Sequence, residues 1–398
     1  MLQYDNSKQS SITNILVIGD VMVDRYWLGT PQALAEEASV AVLAVDSTED
    51  RAGGAANVAL NIRKLGGQVA ILAPLGQDQD GVALGEILTA AGIEQYWQYS
   101  SRTSTITKHR MLSNKQQLVR VDFEQRSCPI ELNAHTKSKI ANHSVIVCSD
   151  YNKGALDKCA EIITYAKSLG KIVLVDPKGK DFSKYHNATM LTPNYKEFTE
   201  VVGEIESNNK TLFHSKAFQL IHKLELDYLL VTCGADGMAL FDVNNFCYTA
   251  SSYANQVYDV TGAGDTVLAS LAVSLVNHED KIAAVERASH AAAVVVSKVG
   301  TGYATKEEVD LQVAQSISKN TNNNPKRQHH IIYNWPMNID RLRIDEINEL
   351  TKLKKQRTDR LIVNLDMNKY NSTNSVHTFE QLAYMISKIS IVDSVIHS

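Results

Sequence analysis

The segment Asp259-Val260-Thr261-Gly262-Ala263-Gly264-Asp265-Thr266 places an acid directly after three small residues, and an apolar run with helical spacing follows it. The first backbone N–H groups of a helix have no partner within the helix and lie at the positive end of its dipole. Gly262, Ala263 and Gly264 are therefore predicted to form an anion hole for a phosphate group during its transfer. Asp265 is the candidate base that takes the proton of an attacking hydroxyl. Taken alone, the segment also fits an ordinary helix start with an acid in its first turn.

Two earlier segments carry groups suited to binding a sugar. In Arg51-Ala52-Gly53-Gly54-Ala55-Ala56-Asn57, paired glycines open a helical pattern, so that a sugar can approach the bare backbone and bond to an amide side chain. In Gly19-Asp20-Val21-Met22-Val23-Asp24, two carboxylates follow the first predicted strand, and ligands of open α/β sheets bind beyond the carboxyl ends of strands. A tight turn and solvated loop acids are the alternative interpretations. The predicted sugar-binding positions are Asp20, Asp24, Gly53, Gly54 and Asn57.

The elements that must hold these residues alternate between strand-like and helix-like patterns. Short β-branched runs alternate with apolar residues spaced three and four apart, which indicates βαβ units and a mostly parallel central sheet covered by helices. The predicted strands are Ile12–Gly19, Val69–Ala73, Ser144–Cys148, Ile172–Val175 and Tyr228–Thr232. The predicted helices are Ala55–Leu65, Val82–Ala91, Leu156–Leu169, Gly262–Val276 and Ile282–Lys298.

Two stretches break this rhythm. Ser39–Val45 and Thr105–Phe123 alternate apolar and polar residues, as half-exposed antiparallel strands do. They are predicted to form a small β-sheet that projects from the main domain and serves as a lid.

Composition excludes several classes of function. The 398 residues are 44% hydrophobic and 21% charged, as in a globular soluble protein. A formal net charge of −4 argues against nucleic acid or an anionic membrane as a partner. Met1 to Asn14 lacks the apolar core of a signal peptide, and no apolar run approaches the length of a membrane span. The five scattered cysteines fit reduced thiols, so a cytoplasmic location is expected.

The glycine-rich run that ends at Asp265, with Thr261 before it, and the run from Gly53 to Asn57 resemble the two signatures of the ribokinase-like (PfkB) carbohydrate kinases. Their order and separation also match, and the resemblance covers about Ile12 to Gly302. It implies an α/β three-layer sandwich with a mostly parallel central sheet and a small β lid. It further implies a carbohydrate kinase that uses ATP and Mg²⁺, while a requirement for a monovalent cation stays open.

Further segments narrow the resemblance to the kinase half of the bifunctional heptose kinase/adenylyltransferases. They are Gly19 to Trp27, Ser149 to Gly154, Asp176 to Gly179 and Leu191 to Glu197. The resemblance implies phosphorylation of D-glycero-β-D-manno-heptose 7-phosphate at C1 to the 1,7-bisphosphate, in ADP-heptose biosynthesis for the lipopolysaccharide core. The sugar phosphate and ATP are therefore the expected small-molecule partners, and a homodimer is the expected assembly.

The family's roles are carried over only to matching positions. Asp265 matches the catalytic base, and Gly262 to Gly264 match the anion hole. Asn194 and Glu197 match the pair that orders Mg²⁺ and the ATP phosphates, with Glu197 acting on the metal indirectly. The other predicted nucleotide-site positions are Thr232, Gly234, Gly237 and Thr261. Ser289 departs from the family, which usually has an asparagine there near the adenine, and this leaves the nucleotide preference open.

The 7-phosphate of the sugar needs cations. Four basic residues in or near the irregular sheet region are candidates, although each also fits a solvated surface charge. The planar guanidinium of Arg110 makes it the preferred bidentate partner. The candidates are Lys108, Arg110, Arg120 and Lys153.

The chain is predicted to consist of a kinase domain (1–318), a polar linker (319–330) and a degenerate nucleotidyltransferase-like tail (331–398). Arg360–Leu365 is strand-like and resembles a strand of the adenylyltransferase half. The HxGH motif of that family should fall at Ile344-Asp345-Glu346-Ile347, where there is neither histidine nor glycine. Adenylyltransferase activity is therefore expected to be absent.

Two other functions stay open at this point. The chain fits a kinase for another sugar, such as ribose, fructose 1-phosphate or an adenosine-like nucleoside. It also fits a non-catalytic sugar-phosphate sensor, although a sensor needs no base at position 265. A dinucleotide oxidoreductase is disfavoured because no GxGxxG follows the first strand.

Overall fold

The computed structural model describes residues 15–32, 42–100, 103–113, 116–206, 209–254, 257–298, 302–323, 330–334, 360–365 and 394–397, with side chains up to Ser316. The chain forms two compact units, which are described separately. The first comprises Met1–Val243 and Cys247–Val313, and the second comprises Asn244–Phe246 and Ala314–Ser398. Within the described residues, no helix is both long enough and apolar enough to cross a membrane.

A nine-stranded sheet lies at the centre of the first unit. With strands numbered along the whole chain, it contains β1 (Ile15–Gly19), β4 (Val69–Leu75), β5 (Glu94–Tyr99), β8 (Val145–Ser149), β9 (Ile172–Asp176), β10 (Met190–Leu191), β11 (Tyr228–Thr232), β12 (Met238–Asp242) and β13 (Cys247–Ala250). The spatial order is β5-β4-β1-β8-β9-β10-β11-β12-β13. The strands from β5 to β11 run parallel, and β12 and β13 are added antiparallel. The predicted mostly parallel sheet is confirmed.

Helices cover both faces of this sheet, as the three-layer prediction requires. They are α1 (Ala55–Lys64), α2 (Gln79–Ala90), α3 (Ala134–Ala141), α4 (Cys159–Ser168), α5 (Tyr195–Val202), α6 (Lys210–Leu224), α7 (Ala263–Val276), α8 (Lys281–Val296) and α9 (Lys306–Asn323). Successive side chains of a strand point to opposite faces. Ile15 and Val17 therefore join the buried cluster that contains α1, α2, α7 and α8, whereas Leu16 and Ile18 join the cluster that contains α3 to α6.

Side-chain caps set several helix starts that apolar spacing alone misses. Asp78 accepts a hydrogen bond from the Gly81 amide at 2.8 Å, so α2 begins at Gln79, before the predicted start at Val82. Asp280 caps α8 in the same way. Helix α4 begins at Cys159 and not at Leu156, because turns occupy the residues between Gly154 and Cys159.

A four-stranded sheet forms the predicted lid. It contains β2 (Val21–Gln32), β3 (Val42–Gly54), β6 (Ile106–Ser113) and β7 (Gln116–Phe123), in the order β3-β2-β6-β7. The interpretation of Asp24 as a loop acid is wrong, because it lies inside β2, opposite Arg51 of β3. The next pair, Arg25 and Asp50, also carries opposite charges. Such pairs stabilise two neighbouring strands and explain why polar residues continue a sheet here.

The second unit contains a parallel three-stranded sheet, β14-β15-β16. Its strands are β14 (His330–Asn334), β15 (Arg360–Leu365) and β16 (Ser394–His397), and β15 confirms the predicted strand. Helix α9 continues to Asn323, through the first residues of the predicted linker, since polar residues without glycine or proline do not end a helix. The position predicted for the HxGH motif lies outside the described residues.

Candidate active site

Polar residues follow the carboxyl ends of neighbouring parallel strands. Strand β1 pairs with β4 on one side and β8 on the other, so the strand order reverses there, and such a switch point is where open α/β sheets bind ligands. The residues at this edge of the sheet are Asp20 after β1, Tyr151 after β8, Asp176 at the end of β9, Asn194 after β10 and Thr232 at the end of β11.

The start of α7 has the geometry expected of an anion hole. Gly262 is the N-cap and has φ +81°, a left-handed conformation that favours glycine. The Ala263 amide donates to the Val260 carbonyl at 3.2 Å. Among the described residues, no acceptor is found for the amides of Gly264 and Asp265. A Cβ at Gly264 meets no atom within 4 Å, so these amides face open space.

Asp265 lies in the first turn of α7 with its side chain almost fully buried. Asn57 of α1 donates to Oδ2 at 2.7 Å, and the Tyr151 hydroxyl donates to Oδ1 at 2.8 Å. Burial raises the pKa of the Asp265 carboxyl to about 6, against the effect of these two hydrogen bonds, which lower it. The nearby Asp24 carboxylate also raises this pKa, and Lys108 lowers it. A carboxylate with a raised pKa is suited to accept a proton near neutral pH.

Asn57 is predicted to bind the sugar, but the structure engages its amide with the acid. Its Oδ1 accepts a bond from Asn61 Nδ2 at 3.2 Å while its Nδ2 donates to Asp265. Asn61 in turn accepts the Thr266 hydroxyl at 3.0 Å, from the residue after Asp265. This buried chain of polar groups joins α1 to α7 and fixes the orientation of the carboxylate.

Asp20 is also a predicted sugar-binding residue, but its side chain is 1% exposed and bonded to the protein backbone. Its carboxylate accepts the amides of Tyr151 and Lys153 at 3.0 Å and that of Ala155 at 2.9 Å. Burial raises the pKa of Asp20, and these amide bonds lower it. The geometry therefore gives Asp20 a hold on the loop after β8.

The glycine pair at the end of β3 allows close packing beside the site. A Cβ at Gly53 would lie 2.7 Å from Asp24 Oδ2, and one at Gly54 would lie 2.4 Å from the Asp20 carbonyl oxygen. Gly54 also has φ +61° and is the N-cap of α1. The pair thus makes room for Asp24 and for the turn into α1.

Three of the predicted phosphate-binding cations lie on one face of the lid. Lys108 and Arg110 are two residues apart on β6, and Arg120 lies opposite Arg110 on β7. Arg110 Nη2 donates to Asp24 at 3.2 Å, whereas its buried Nε has no hydrogen-bond partner among the described residues. Two guanidinium groups directly opposite each other repel unless an anion joins them. Burial lowers the pKa of Lys108, whose Nζ lies 5.7 Å from the Tyr151 ring centroid.

The remaining cations form ion pairs at the periphery. Arg120 Nε pairs with Asp122 at 2.7 Å, and Lys153 pairs with Glu124. Both partners are partly exposed carboxylates, so a phosphate can replace either of them at low cost.

The predicted nucleotide side is built around the start of α5. Asn194 and Glu197 form a capping box, in which each side chain accepts the other's backbone amide. Lys178 Nζ also donates to Glu197 Oε1 at 2.6 Å. Burial, Asp265 and Glu197 together raise the pKa of Asp176 well above its ordinary value. This accumulation of carboxylates favours a cation between them.

The other nucleotide-site positions lie in turns. The Thr232 amide donates to the Pro193 carbonyl at 3.0 Å, which joins the ends of β10 and β11. Gly234 and Gly237 have φ of +59° and +88° in the turn after β11. The Thr261 amide donates to Asp259 at 2.9 Å, just before the anion hole. Ser289 is buried in α8 and donates to the Ser251 carbonyl at 2.7 Å.

Sequence reasoning missed Tyr151, Asp176 and Lys178 as functional residues. Tyr151 and Lys178 occur in segments that carry the family resemblance, but their types alone do not indicate a role. What finds them is their place after β8 and β9 at the edge of the sheet where Asp20 and Asn194 also lie.

Solved structures with a similar fold are sugar kinases. Ribokinase from Arabidopsis thaliana, complexed with ribose and ATP, matches with a TM-score of 0.64 and 22% identity over 76% of this chain and 98% of that one. Phosphofructokinase-2 from Escherichia coli, in complex with potassium, matches with a TM-score of 0.65 and 17% identity over 76% of this chain and 99% of that one. At these identities the likeness establishes the ribokinase-like fold alone.

Sequence comparison establishes the family. Residues 12–308 match the pfkB family carbohydrate kinase. The chain is 43% identical to the bifunctional protein HldE of Shewanella loihica over 77% of this chain and 64% of that protein. It is 43% identical to HldE of Hydrogenovibrio crunogenus over 78% and 65% of the respective lengths. The match thus spans less than two thirds of these relatives. The chain belongs to the pfkB family of carbohydrate kinases, and its kinase region is similar to that of the HldE proteins.

Proposed function

We propose that the protein transfers the γ-phosphate of ATP to C1 of D-glycero-β-D-manno-heptose 7-phosphate, forming the 1,7-bisphosphate for ADP-heptose biosynthesis. One observation carries the catalytic part of the proposal. The buried carboxylate of Asp265, with its raised pKa, lies beside backbone amides of α7 that face open space. A base and an anion hole in the same helical turn are what in-line phosphoryl transfer from ATP to a hydroxyl requires.

In the proposed reaction the anomeric hydroxyl of the sugar approaches Asp265, whose carboxylate is oriented by Asn57 and Tyr151. Asp265 takes the hydroxyl proton as the oxygen attacks the γ-phosphorus, and ADP leaves on the opposite side. The amides of Gly264 and Asp265 and the dipole of α7 stabilise the charge on the transferred phosphoryl group. The lid sheet excludes water and so limits wasteful hydrolysis of ATP.

The residues beside the predicted phosphate path fit a Mg²⁺ ion. Mg²⁺ keeps several water ligands and needs only one or two protein carboxylates in addition to substrate phosphates. Asp176 and Glu197 are close enough for each charge to affect the other, which raises the pKa of Asp176. These two residues would hold the ion, Glu197 through water because both of its oxygens already accept hydrogen bonds. When bound, the ion would neutralise charge on the ATP phosphates.

The cationic face of the lid supports a phosphorylated sugar as the substrate. Lys108, Arg110 and Arg120 converge on one side of β6 and β7, and Arg110 offers an unpaired N–H. Similarity to the HldE proteins over the kinase region points to a heptose phosphate in particular. Cytoplasmic location, a homodimeric assembly and the absence of adenylyltransferase activity belong to the same proposal.

The test is ADP release in the presence of Mg²⁺ with heptose 7-phosphate, unphosphorylated heptose, ribose and fructose 1-phosphate compared in parallel. The heptose phosphate should be turned over with the highest kcat/KM. Asp265→Asn should bind ATP normally but lose turnover by about 10²-fold or more. Equal turnover of all four sugars would refute the substrate, and near-normal turnover by Asp265→Asn would refute the base.

The alternatives predict different results in the same assay. A kinase for another sugar would favour one of the other three compounds. A sensor would bind a sugar phosphate without releasing ADP at all. The free amides at the start of α7 favour the kinase, because binding alone needs no anion hole at the transferred phosphate.

A further inference from the structure

Tyr151 connects the end of β8 to the acid in α7. Its hydroxyl donates to Asp265 Oδ1 at 2.8 Å, while Asn57 donates to Oδ2. Each carboxylate oxygen can accept two hydrogen bonds. One lone pair on each oxygen thus stays available for the hydroxyl of a substrate, and the plane of the carboxylate is fixed by a donor on each side.

The loop that carries Tyr151 is held from below. The buried Asp20 accepts three of its backbone amides, those of Tyr151, Lys153 and Ala155. Carboxylates that accept several backbone amides bind them strongly, since each is a charge-assisted hydrogen bond. The position of the Tyr151 backbone is therefore set by a residue of the neighbouring strand end.

The same loop adopts conformations that only a fixed surrounding maintains. Asn152 has φ +57° and its amide donates to Asp150 Oδ1 at 2.6 Å. Gly154 has φ +117°, and a Cβ there would lie 2.3 Å from the Ser127 carbonyl oxygen. Left-handed backbone conformations persist where the surrounding contacts enforce them, and they cluster at functional sites.

We propose that Tyr151 is a positioning residue for phosphoryl transfer: its hydroxyl orients the Asp265 carboxylate and keeps it ionised, and Asp20 acts through the loop to hold that hydroxyl in place. This inference deepens the proposed kinase function and rests on it. Asp20 and Tyr151 thereby serve the base, and the sugar is bound by the lid and the start of α1.

Several charged or polar groups face Asp265 from the elements packed against it. Asn57 of α1 and Tyr151 donate hydrogen bonds, and Lys108 of β6 contributes positive charge. Asp24 of β2 and Asp176 of β9 contribute negative charge. Loss of the Tyr151 hydroxyl removes a group that favours the ionised carboxylate and leaves both acids in place. The pKa of Asp265 should therefore rise.

The test is Tyr151→Phe, with Tyr185→Phe as the matched control. Tyr185 is also buried and also donates to a carboxylate, Asp150, but it does not contact Asp265. Tyr151→Phe should raise the pKa that limits kcat/KM at low pH by roughly one unit and lower kcat/KM at pH 7.5 roughly tenfold. Tyr185→Phe should leave that pKa unchanged. An unchanged pKa in Tyr151→Phe, or an equal shift in both variants, would overturn the proposal.

A second measurement needs no turnover. Carbon-13 NMR of labelled aspartate, with the Asp265 signal assigned by its loss in Asp265→Asn, gives the pKa of this carboxyl directly. The same upward shift is expected in Tyr151→Phe whatever the substrate. A protein without kinase activity that still shows the shift would refute the proposed function and keep Tyr151 as the group that sets the acid's ionisation. A missing shift in an active kinase would refute only the role of Tyr151.

The role of Asp20 is tested by a double-mutant cycle. Asp20→Asn weakens the hold on the loop, because an amide oxygen replaces one carboxylate that accepts three N–H groups. If Asp20 acts through Tyr151, the double variant Asp20→Asn/Tyr151→Phe should lose little more kcat/KM than Tyr151→Phe alone. Multiplicative losses would show that the two residues act independently and would overturn this step.

Discussion

The side-chain amide of Asn57 donates to the carboxylate of Asp265 at 2.7 Å, although 208 positions separate the two residues in the sequence. One residue belongs to the first helix and the other to the seventh. The contact brings together the two glycine-rich segments that carry the family resemblance. Both segments therefore serve a single carboxylate.

The raised pKa of Asp265 predicts how stability depends on pH. Because the folded-state pKa of about 6 exceeds the ordinary value of 3.8, the folded protein binds more protons than the unfolded chain between these values. This contribution is fully present below pH 3.8 and is lost as the pH rises through about 6. The loss is at most about 3 kcal/mol.

Chemical denaturation of wild type and Asp265→Asn between pH 4.5 and 7.5 measures it. Asp20 and Asp176 also have raised pKa values, but they are present in both proteins and cancel in the difference. The free energy of unfolding of wild type should fall relative to that of Asp265→Asn as the pH increases. Parallel curves would mean that Asp265 titrates normally in the folded protein.

The open space at the start of α7 predicts that Gly264→Ala affects turnover but not folding. A methyl group there meets no atom within 4 Å, and alanine favours a helix over glycine by up to about 1 kcal/mol. The protein should therefore be as stable as wild type or more stable. Turnover should fall about tenfold or more, because the methyl group hinders the approach of a phosphate to the amides.

Gly85→Ala is the matched control for this variant. Gly85 lies within α2, away from the predicted phosphate path, and a Cβ there would lie 3.4 Å from Gln95 Oε1. It should change stability to a similar extent and leave kcat unaltered. Equal kcat for Gly264→Ala and Gly85→Ala would show that the transferred phosphate does not approach α7.

The elements recovered from the sequence are those with strong local patterns. The strand Tyr228–Thr232 and the helix that follows Gly262 are continuous apolar runs, and such runs need no partner to be recognised. Strand β2 was missed because its charges are compensated by β3, which is distant information. The extension of β3 from Val45 to Gly54 was missed for the same reason.

The candidate site shows the same division. The glycines and Asp265 were found because a helix start has a local signature. Tyr151 was not, since its bond to Asp265 joins positions 114 residues apart and a tyrosine has no local signal of such a role. Asp20 was found but given a sugar-binding role, because an acid after a strand indicates neither what it faces nor which backbone amides it accepts.

The cationic face of the lid predicts that Arg110→Gln weakens binding of the sugar phosphate. Its guanidinium is 14% exposed and retains a buried N–H without a partner in the described chain. Loss of a charge-assisted contact should raise KM for the sugar phosphate roughly tenfold to a hundredfold, with a smaller effect on kcat. Initial rates at varied sugar phosphate concentration measure the two constants separately.

Arg126→Gln is the control, because Arg126 pairs with Asp157 and its side chain is 58% exposed. It should leave both constants near wild type. A KM unchanged in Arg110→Gln would place the phosphate of the sugar elsewhere.

An ion-pair network joins the lid to the main domain. Arg25 of β2 donates through Nε and Nη2 to Asp50 of the lid at 2.7 Å, and its Nη2 also donates to Asp80 of α2 at 2.8 Å. Asp80→Asn removes the charge on the main-domain side and leaves the pair within the lid intact. Since these groups are only partly buried, the free energy of unfolding should fall by no more than about 1 kcal/mol.

The expected effect of Asp80→Asn lies in the mobility of the lid. Amide hydrogen exchange of β2 and β3 should become faster, whereas exchange of the central strands β1 and β8 should stay as in wild type, because only the connection between the two sheets is weakened. Mass spectrometry of peptic fragments resolves these segments. Unchanged exchange in β2 would show that the lid is held by its packing against the main domain and not by the Arg25 ion pairs.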